Sequence, residues 1–399
     1  MTMTGRARAA GAGDPLVVLG PGTVREVTSL TNRFGGRQAR VVQVVGPTFQ
    51  TRTWAPDVME VLAWLRPTLV VHDGPVTPGS VATLAGQLRS ARADVVVAIG
   101  GGTVLDAAKA AAALAPAGPV DAGLVRAACA TPQHGSGPAS QVTVIAVPTT
   151  PGTGAEVTPF ATLWDLASSR KLSLRGPRLR PDAVVLDPGL LVGLGRASLA
   201  AGLLDTLCQG AEAAWSVNST EASLRWGTEA VTLAAQVLHR VRDDDLDTTV
   251  LATLQRAGHN SGRAIAVAQT SSCHAISYSL TLRLGLAHGH ACGTSLGRML
   301  RFNSEAGPGD CADPRGHRYV RSVLGGLAQA LGGTPERAAA RVESFLHACG
   351  LARLDDLDLD HRTVAADALS YPRCHDNPRR LDRESLGRLL GERAETEET

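Results

Sequence analysis

No apolar run in the 399-residue chain approaches the roughly 20 residues that a membrane-spanning helix needs. The longest stretches, such as Val95 to Ile99, have the length of a strand. A signal-peptide core is also missing. Met1 to Asp14 is rich in Gly, Ala and Arg and reads as a disordered tail. The seven cysteines stand singly, without a CxxC pair, as reduced and buried thiols of a cytoplasmic protein do. The 39 basic residues are scattered, and the formal net charge is only +2. That excludes a nucleic-acid footprint and a basic membrane-binding face. What remains is ordinary globular composition, 44% hydrophobic and 19% charged, ample for a sizeable core. The length predicts two domains, or one large domain with an appendage.

The first half alternates short β-branched runs with Ala/Leu-rich stretches. Strands are predicted at Leu16–Gly20, Val41–Val45, Thr68–Val71, Val95–Ile99, Val142–Val147 and Ala183–Leu186. Helices are predicted between them, at Val58–Leu65, Val81–Ala91 and Asp106–Leu114. This alternation predicts a parallel α/β sheet. From about residue 197 the pattern is helical, as at Ser198–Ala214, Ser223–Val241, Thr248–Val267 and Ala338–Cys349. The expected organisation is a tail over 1–14, an α/β domain over 15–196 and a helical domain over 197–399. Gly307–Arg315 reads as a surface loop, and the acidic Glu392–Thr399 as a frayed end.

Two loops carry chemistry in the first half. Strand Val95–Ile99 runs into Gly100-Gly101-Gly102-Thr103 and then Asp106 and Lys109. Glycines let backbone approach a diphosphate, and the helix start supplies free N–H groups. The pattern is neither GxGxxG nor the Walker form. Three successive glycines exceed what a plain strand-to-helix turn needs. The second loop, Pro148-Thr149-Thr150-Pro151-Gly152-Thr153-Gly154-Ala155-Glu156, follows another buried strand. Taken together the loops predict a dinucleotide across the carboxyl ends of parallel strands. After the second strand stand Gly46-Pro47-Thr48, with no acid to hold ribose hydroxyls. Gly46 leaves room for a 2′-phosphate and Thr48 can donate to it, so NADPH is expected, with NADH possible.

The second half offers a candidate metal site. Asp205 and Gln209 lie four apart, on one helix face. His274 and His288 are fourteen apart, with His290 two further on. A carboxylate with imidazoles can hold Zn or Fe and leave a position for substrate. The competing reading is structural, since a lone helical histidine usually is.

These motifs together resemble the iron-containing (group III) alcohol dehydrogenases, from Leu16 to Leu390. The resemblance rests on Gly100 to Thr103 with Asp106 and Lys109, on Pro148 to Glu156, on Pro181-Asp182 and Asp187-Pro188, and on His274-Ala275-Ile276-Ser277-Tyr278 with His288-Gly289-His290. It implies a nucleotide-binding domain, a helical domain and an active site in the cleft between. It also implies that Asp205, His274 and His288 are metal ligands, with Gln209 where most members carry a fourth, histidine ligand. Tyr278 stands where many carry another active-site histidine. It would donate a proton, hold the substrate oxygen or shape the pocket. Cofactor contacts fall to Gly46, Thr48, Gly100, Gly101, Gly102, Thr103, Asp106, Thr149, Thr150, Thr153 and Lys171. A homodimer through the N-terminal edge strand is expected.

Within the family the chain resembles in particular the phosphonoacetaldehyde reductases. Trp215 to Glu221, Gly262 to Ile265, and Arg373 with Asp376-Asn377-Pro378-Arg379 carry this. Such enzymes reduce a small aldehyde bearing a phosphonate. Arg matches phosphoryl oxygens in bidentate fashion, and Arg373, Arg379, Asn218 and Lys171 are the candidate donors. Gln269, Pro151, Cys208 and Leu204 depart from the pattern. They leave open phosphonopyruvate, reduced to phosphonolactate, as the substrate. Gln209 leaves open a metal-free nucleotide-binding homologue without turnover. The dehydroquinate synthase-like cyclases share the architecture but would need other basic and acidic groups in the cleft.

Overall fold

Valine-rich runs determine the first unit of the chain. The computed structural model describes residues 13–131 and 142–391. The tail expected over 1–14, except its last two residues, and the one at Glu392–Thr399 lie outside them. Strands β1 (Leu16–Leu19), β2 (Val41–Val45), β3 (Thr68–Val71), β4 (Val95–Gly100), β5 (Thr143–Pro148) and, after a hairpin of β6 (Phe160–Asp165) and β7 (Arg170–Arg175), β8 (Ala183–Leu186) are assigned. Six of them form a parallel sheet in the order β1-β8-β5-β4-β2-β3. The inner strands β2, β4 and β8 are buried at every position. Parallel sheets need cover on both faces, which is why these runs are continuous rather than alternating in polarity. The edge strand β1 alternates instead and exposes Val17 and Leu19.

Helices α1 (Val27–Gly35), α2 (Ala55–Ala63), α3 (Pro78–Ser90), α4 (Gly102–Leu114) and α5 (Ala122–Ala130) lie between the strands in sequence. Alanine makes α4 a strong helix former and a thin one. Ala107, Ala108, Ala110 and Ala111 are all buried in the same core as Val96 and Ala98 of β4. The antiparallel hairpin β6–β7 is tied to α4 by Lys109, whose side chain is 1% exposed. Its Nζ donates to the Ala155 carbonyl at 2.8 Å and the Phe160 carbonyl at 2.6 Å.

The second compact unit comprises Thr150–Gly154 and the chain from Pro188 onward. It holds α6 (Arg196–Trp215), α7 (Glu221–Arg242), α8 (Thr248–Ala268), α9 (Ser272–Leu284), α10 (His288–Ser304), α11 (His317–Ala330), α12 (Pro335–Ala348), α13 (His361–Leu369) and α14 (Arg383–Leu390). From Leu203 to Trp215, α6 is buried on all sides, and it packs against α7, α8 and α10. The loop 150–154 belongs here because glycines let it touch helix backbone. A Cβ on Gly154 would stand 2.3 Å from Gly262 Cα of α8, and one on Gly152 2.5 Å from the Gly202 carbonyl of α6. The stretch Gly307–Arg315 is a loop, although its Asp313 is buried under Arg315. Among the described residues no helix is long and apolar enough to cross a membrane. All seven cysteines are free thiols.

Candidate active site

In the first unit, strand order reverses at the β2–β4 pair: β3 lies outside β2, and β5 lies outside β4. Ligands of open α/β sheets bind beyond the carboxyl ends at such a switch point. The register pairs Val45 with Ile99, so Gly46 and Gly100 leave the sheet side by side. A Cβ on Gly100 would collide with Val104 at 2.6 Å, so this turn demands glycine. Gly101 is the N-cap of α4 and has no side chain to occupy the first-turn N–H groups. Gly101 and Gly102 are partly exposed, and Thr103 is exposed beside them. Thr149 is brought to this edge by its N–H bond to the Gly100 carbonyl, 3.0 Å. Thr48 is exposed at the start of a short 3₁₀ turn after β2.

Other cofactor candidates have protein partners. The Asp106 carboxylate accepts from Lys109 at 2.9 Å and from the Thr162 N–H at 2.8 Å. Lys171 donates to Ser173 at 2.6 Å on β7. Thr150 and Thr153 pack with the second unit, where the Thr153 carbonyl accepts from the Gln209 amide at 3.4 Å.

In the second unit, α6, α9 and α10 bring Asp205, His274 and His288 together. A fourth residue, Cys292, completes the group, with all four donor atoms within 4.8 Å of one another. Asp205 Oδ1 stands 3.3 Å from His274 Nε2, and Cys292 Sγ 3.8 Å from His288 Nε2. Asp205 Oδ1 and His288 Nδ1 are both buried without a hydrogen-bond partner. One carboxylate, two imidazoles and a thiol suit Zn or Fe, and the unpartnered Asp205 oxygen calls for a cation. His290 points elsewhere, since two positions on a helix are over half a turn apart. Its Nε2 meets the Ala352 carbonyl at 2.8 Å.

Behind the group lies Glu212, fully buried on α6. Its carboxylate accepts from the Cys273 N–H at 2.6 Å and from the Ser271 hydroxyl at 3.2 Å, and it bonds His274 Nδ1. It thereby takes the place of an N-cap side chain at the start of α9. Burial opposes ionisation of the Cys292 thiol, yet the His274 and His288 imidazoles bring it down to about 7. Neither Glu212 nor Cys292 was among the residues expected from sequence. The i,i+4 spacing of His288 and Cys292 was the signal available for the thiol.

Gln209 is engaged at both ends, since its Oε1 also accepts from Ser261 at 2.9 Å. Tyr278 follows His274 by one turn and is 2% exposed. Its ring stacks on His288 with centroids 6.1 Å apart. Burial raises its phenol above the ordinary value even with Arg373 near. The Arg373 guanidinium lies 5.5 Å from that ring and bonds Thr270. The other expected phosphonate donors on this side have protein partners. Arg379 is bound to Asp310 at 2.7 Å and to the Phe302 carbonyl at 2.7 Å. Asn218 donates to Asp376 at 2.8 Å, and buried Asn377 joins Ser272 of α9 to Asn303 of α10. These bonds fix the 372–379 segment that carries Arg373.

Residues 15–188 match the family described as iron-containing alcohol dehydrogenase, and residues 199–393 match the C-terminal region of the same family. A phosphonoacetaldehyde reductase of Streptomyces viridochromogenes is 66% identical over 97% of this chain and 98% of its own length. A maleylacetate reductase of Cupriavidus pinatubonensis is 25% identical over 94% of this chain and 93% of its own. The crystal structure of a sulfoacetaldehyde reductase from Bifidobacterium kashiwanohense, in complex with NAD+, superposes with a TM-score of 0.78 at 22% identity. It covers 96% of this chain and 98% of that one, and it establishes the shared fold.

Proposed function

The chain belongs to the iron-containing alcohol dehydrogenase family, and from that premise we propose that it reduces phosphonoacetaldehyde to 2-hydroxyethylphosphonate with NADPH. The observation that carries this reading is the 66% identity, over almost the whole chain, to a phosphonoacetaldehyde reductase. When bound, the nicotinamide supplies hydride, and a divalent ion held by Asp205, His274 and His288 supplies a Lewis acid for the carbonyl oxygen.

The residues of the chain do the rest. The free N–H groups at Gly102 and Thr103 receive the diphosphate at the start of α4. Gly46 leaves space for the 2′-phosphate of NADPH. Tyr278 holds a proton at its Oη near the imidazole pair, ready for the nascent alkoxide. Arg373, packed over the Tyr278 ring, receives the phosphonate. Arg379 and Asn218 act through the segment they anchor.

An aldehyde panel tests this. Charge-assisted bonds to one Arg contribute about 1.5–3 kcal/mol, or about 10- to 150-fold. Phosphonoacetaldehyde should therefore exceed an uncharged aldehyde in kcat/KM by at least about that factor with NADPH. Arg373→Ala should remove most of the difference by raising KM for the phosphonate alone. Equal losses on both aldehydes would sink the anchor. Faster reduction of phosphonopyruvate would replace the substrate.

A further inference from the structure

We propose that Cys292 is the fourth protein ligand of the metal held by Asp205, His274 and His288, in place of the Gln209 carboxamide. The proposal rests on the metal-assisted reading above and deepens it. It starts from geometry. Ligand atoms held at about 2.0–2.3 Å in a tetrahedron stand about 3.3–3.8 Å apart. Asp205 Oδ1 and His274 Nε2 are 3.3 Å apart, and Cys292 Sγ and His288 Nε2 are 3.8 Å apart. Both separations are edges of such a polyhedron.

The Asp205 side chain is 4% exposed, and its Oδ1 has no hydrogen-bond partner. A buried, unsatisfied carboxylate oxygen facing a thiol and two imidazoles is costly unless a cation fills the space. Cys292 is fully buried and reaches the group because it lies one helical turn beyond His288.

Gln209 is engaged within the fold instead: its carbonyl oxygen accepts from Ser261 and its amide nitrogen donates to the Thr153 carbonyl. Loading releases the thiol proton to solvent. A thiolate also selects Zn, Fe or Co over Mg or Mn, whose sites are built of oxygen.

The test uses the full chain, stripped with a chelator and reloaded with cobalt(II) or zinc. Wild-type protein should bind one cobalt and show a thiolate-to-cobalt charge-transfer band in the near ultraviolet. Cys292→Ser should lose that band, while Cys208→Ser should keep it. X-ray absorption of the zinc form gives the same answer without a variant: one sulfur neighbour at about 2.3 Å. Bound cobalt without the band, a band that survives Cys292→Ser, or a zinc shell of nitrogen and oxygen alone overturns the proposal. Protein that binds neither metal overturns it together with the metal-assisted reading. A sulfur neighbour in protein that fails to reduce phosphonoacetaldehyde supports Cys292 as ligand and removes only the substrate assignment.

Discussion

Glu212 is a carboxylate without solvent, and its neighbours explain how it is tolerated. Backbone N–H groups at the start of α9, the Ser271 hydroxyl and the His274 ring all face it. Burial works against its charge, but these partners, His274 foremost, hold its pKa below the usual value. The bond to Nδ1 fixes the ring and leaves Nε2 turned toward Asp205. Histidine ligands are normally oriented by such an outer carboxylate, whose loss costs about 10- to 100-fold in metal affinity. Glu212→Gln preserves volume but offers an NH2 where donors already point. Competition with a chromophoric chelator should show zinc affinity falling by that factor, with the aldehyde KM little changed. Unchanged zinc affinity in a folded variant would reduce Glu212 to a helix cap.

At the scale of elements, the site depends on how closely α10 approaches α6. Gly289 allows the approach. A Cβ there would stand 2.0 Å from the Ala201 carbonyl and 2.9 Å from Asp205 Cβ. The obstacle is backbone, so the helices must separate, and His288 is the adjacent residue. Overpacking of this kind costs about 1–3 kcal/mol. Gly86, in the middle of α3, has nothing within 4 Å of an added Cβ. There alanine should be neutral or stabilising by up to about 1 kcal/mol, through helix propensity. Denaturant unfolding of the two alanine variants should therefore move in opposite directions. Metal affinity should fall only in Gly289→Ala. A Gly289→Ala protein with normal stability and normal affinity would mean that this crossing does not set the ligand geometry.

Across the whole molecule, what could be read in advance depended on how uniform each environment is. The runs at β2, β4 and β8 are buried on both faces and so are apolar throughout, which made the parallel sheet legible. The β6–β7 hairpin was missed because only Ala161, Leu163 and Leu174 of its twelve residues are buried, and Arg170, Lys171, Ser173 and Arg175 make β7 read as a polar surface stretch. Asp205, His274 and His288, which the fold does bring together, were legible by residue type. Glu212 and Cys292 were not, because an acid or a thiol on a helix shows its burial only after packing. Asp106, Asn218 and Arg379 carried the opposite signal: chemically apt side chains that the fold had already engaged. In the proposed function the metal donors come from α6, α9 and α10 of the second unit, and the glycine ends that receive the cofactor from β2 and β4 of the first. A ligand that binds only folded protein stabilises it by about 2.7 kcal/mol at 100 times its Kd. Local opening should respond first where the ligand sits. Removal of metal should therefore speed amide hydrogen exchange chiefly in α6, α9 and α10, and NADPH should slow it chiefly from β4 into α4. If metal removal leaves α9 and α10 as protected as before, those helices do not carry the metal.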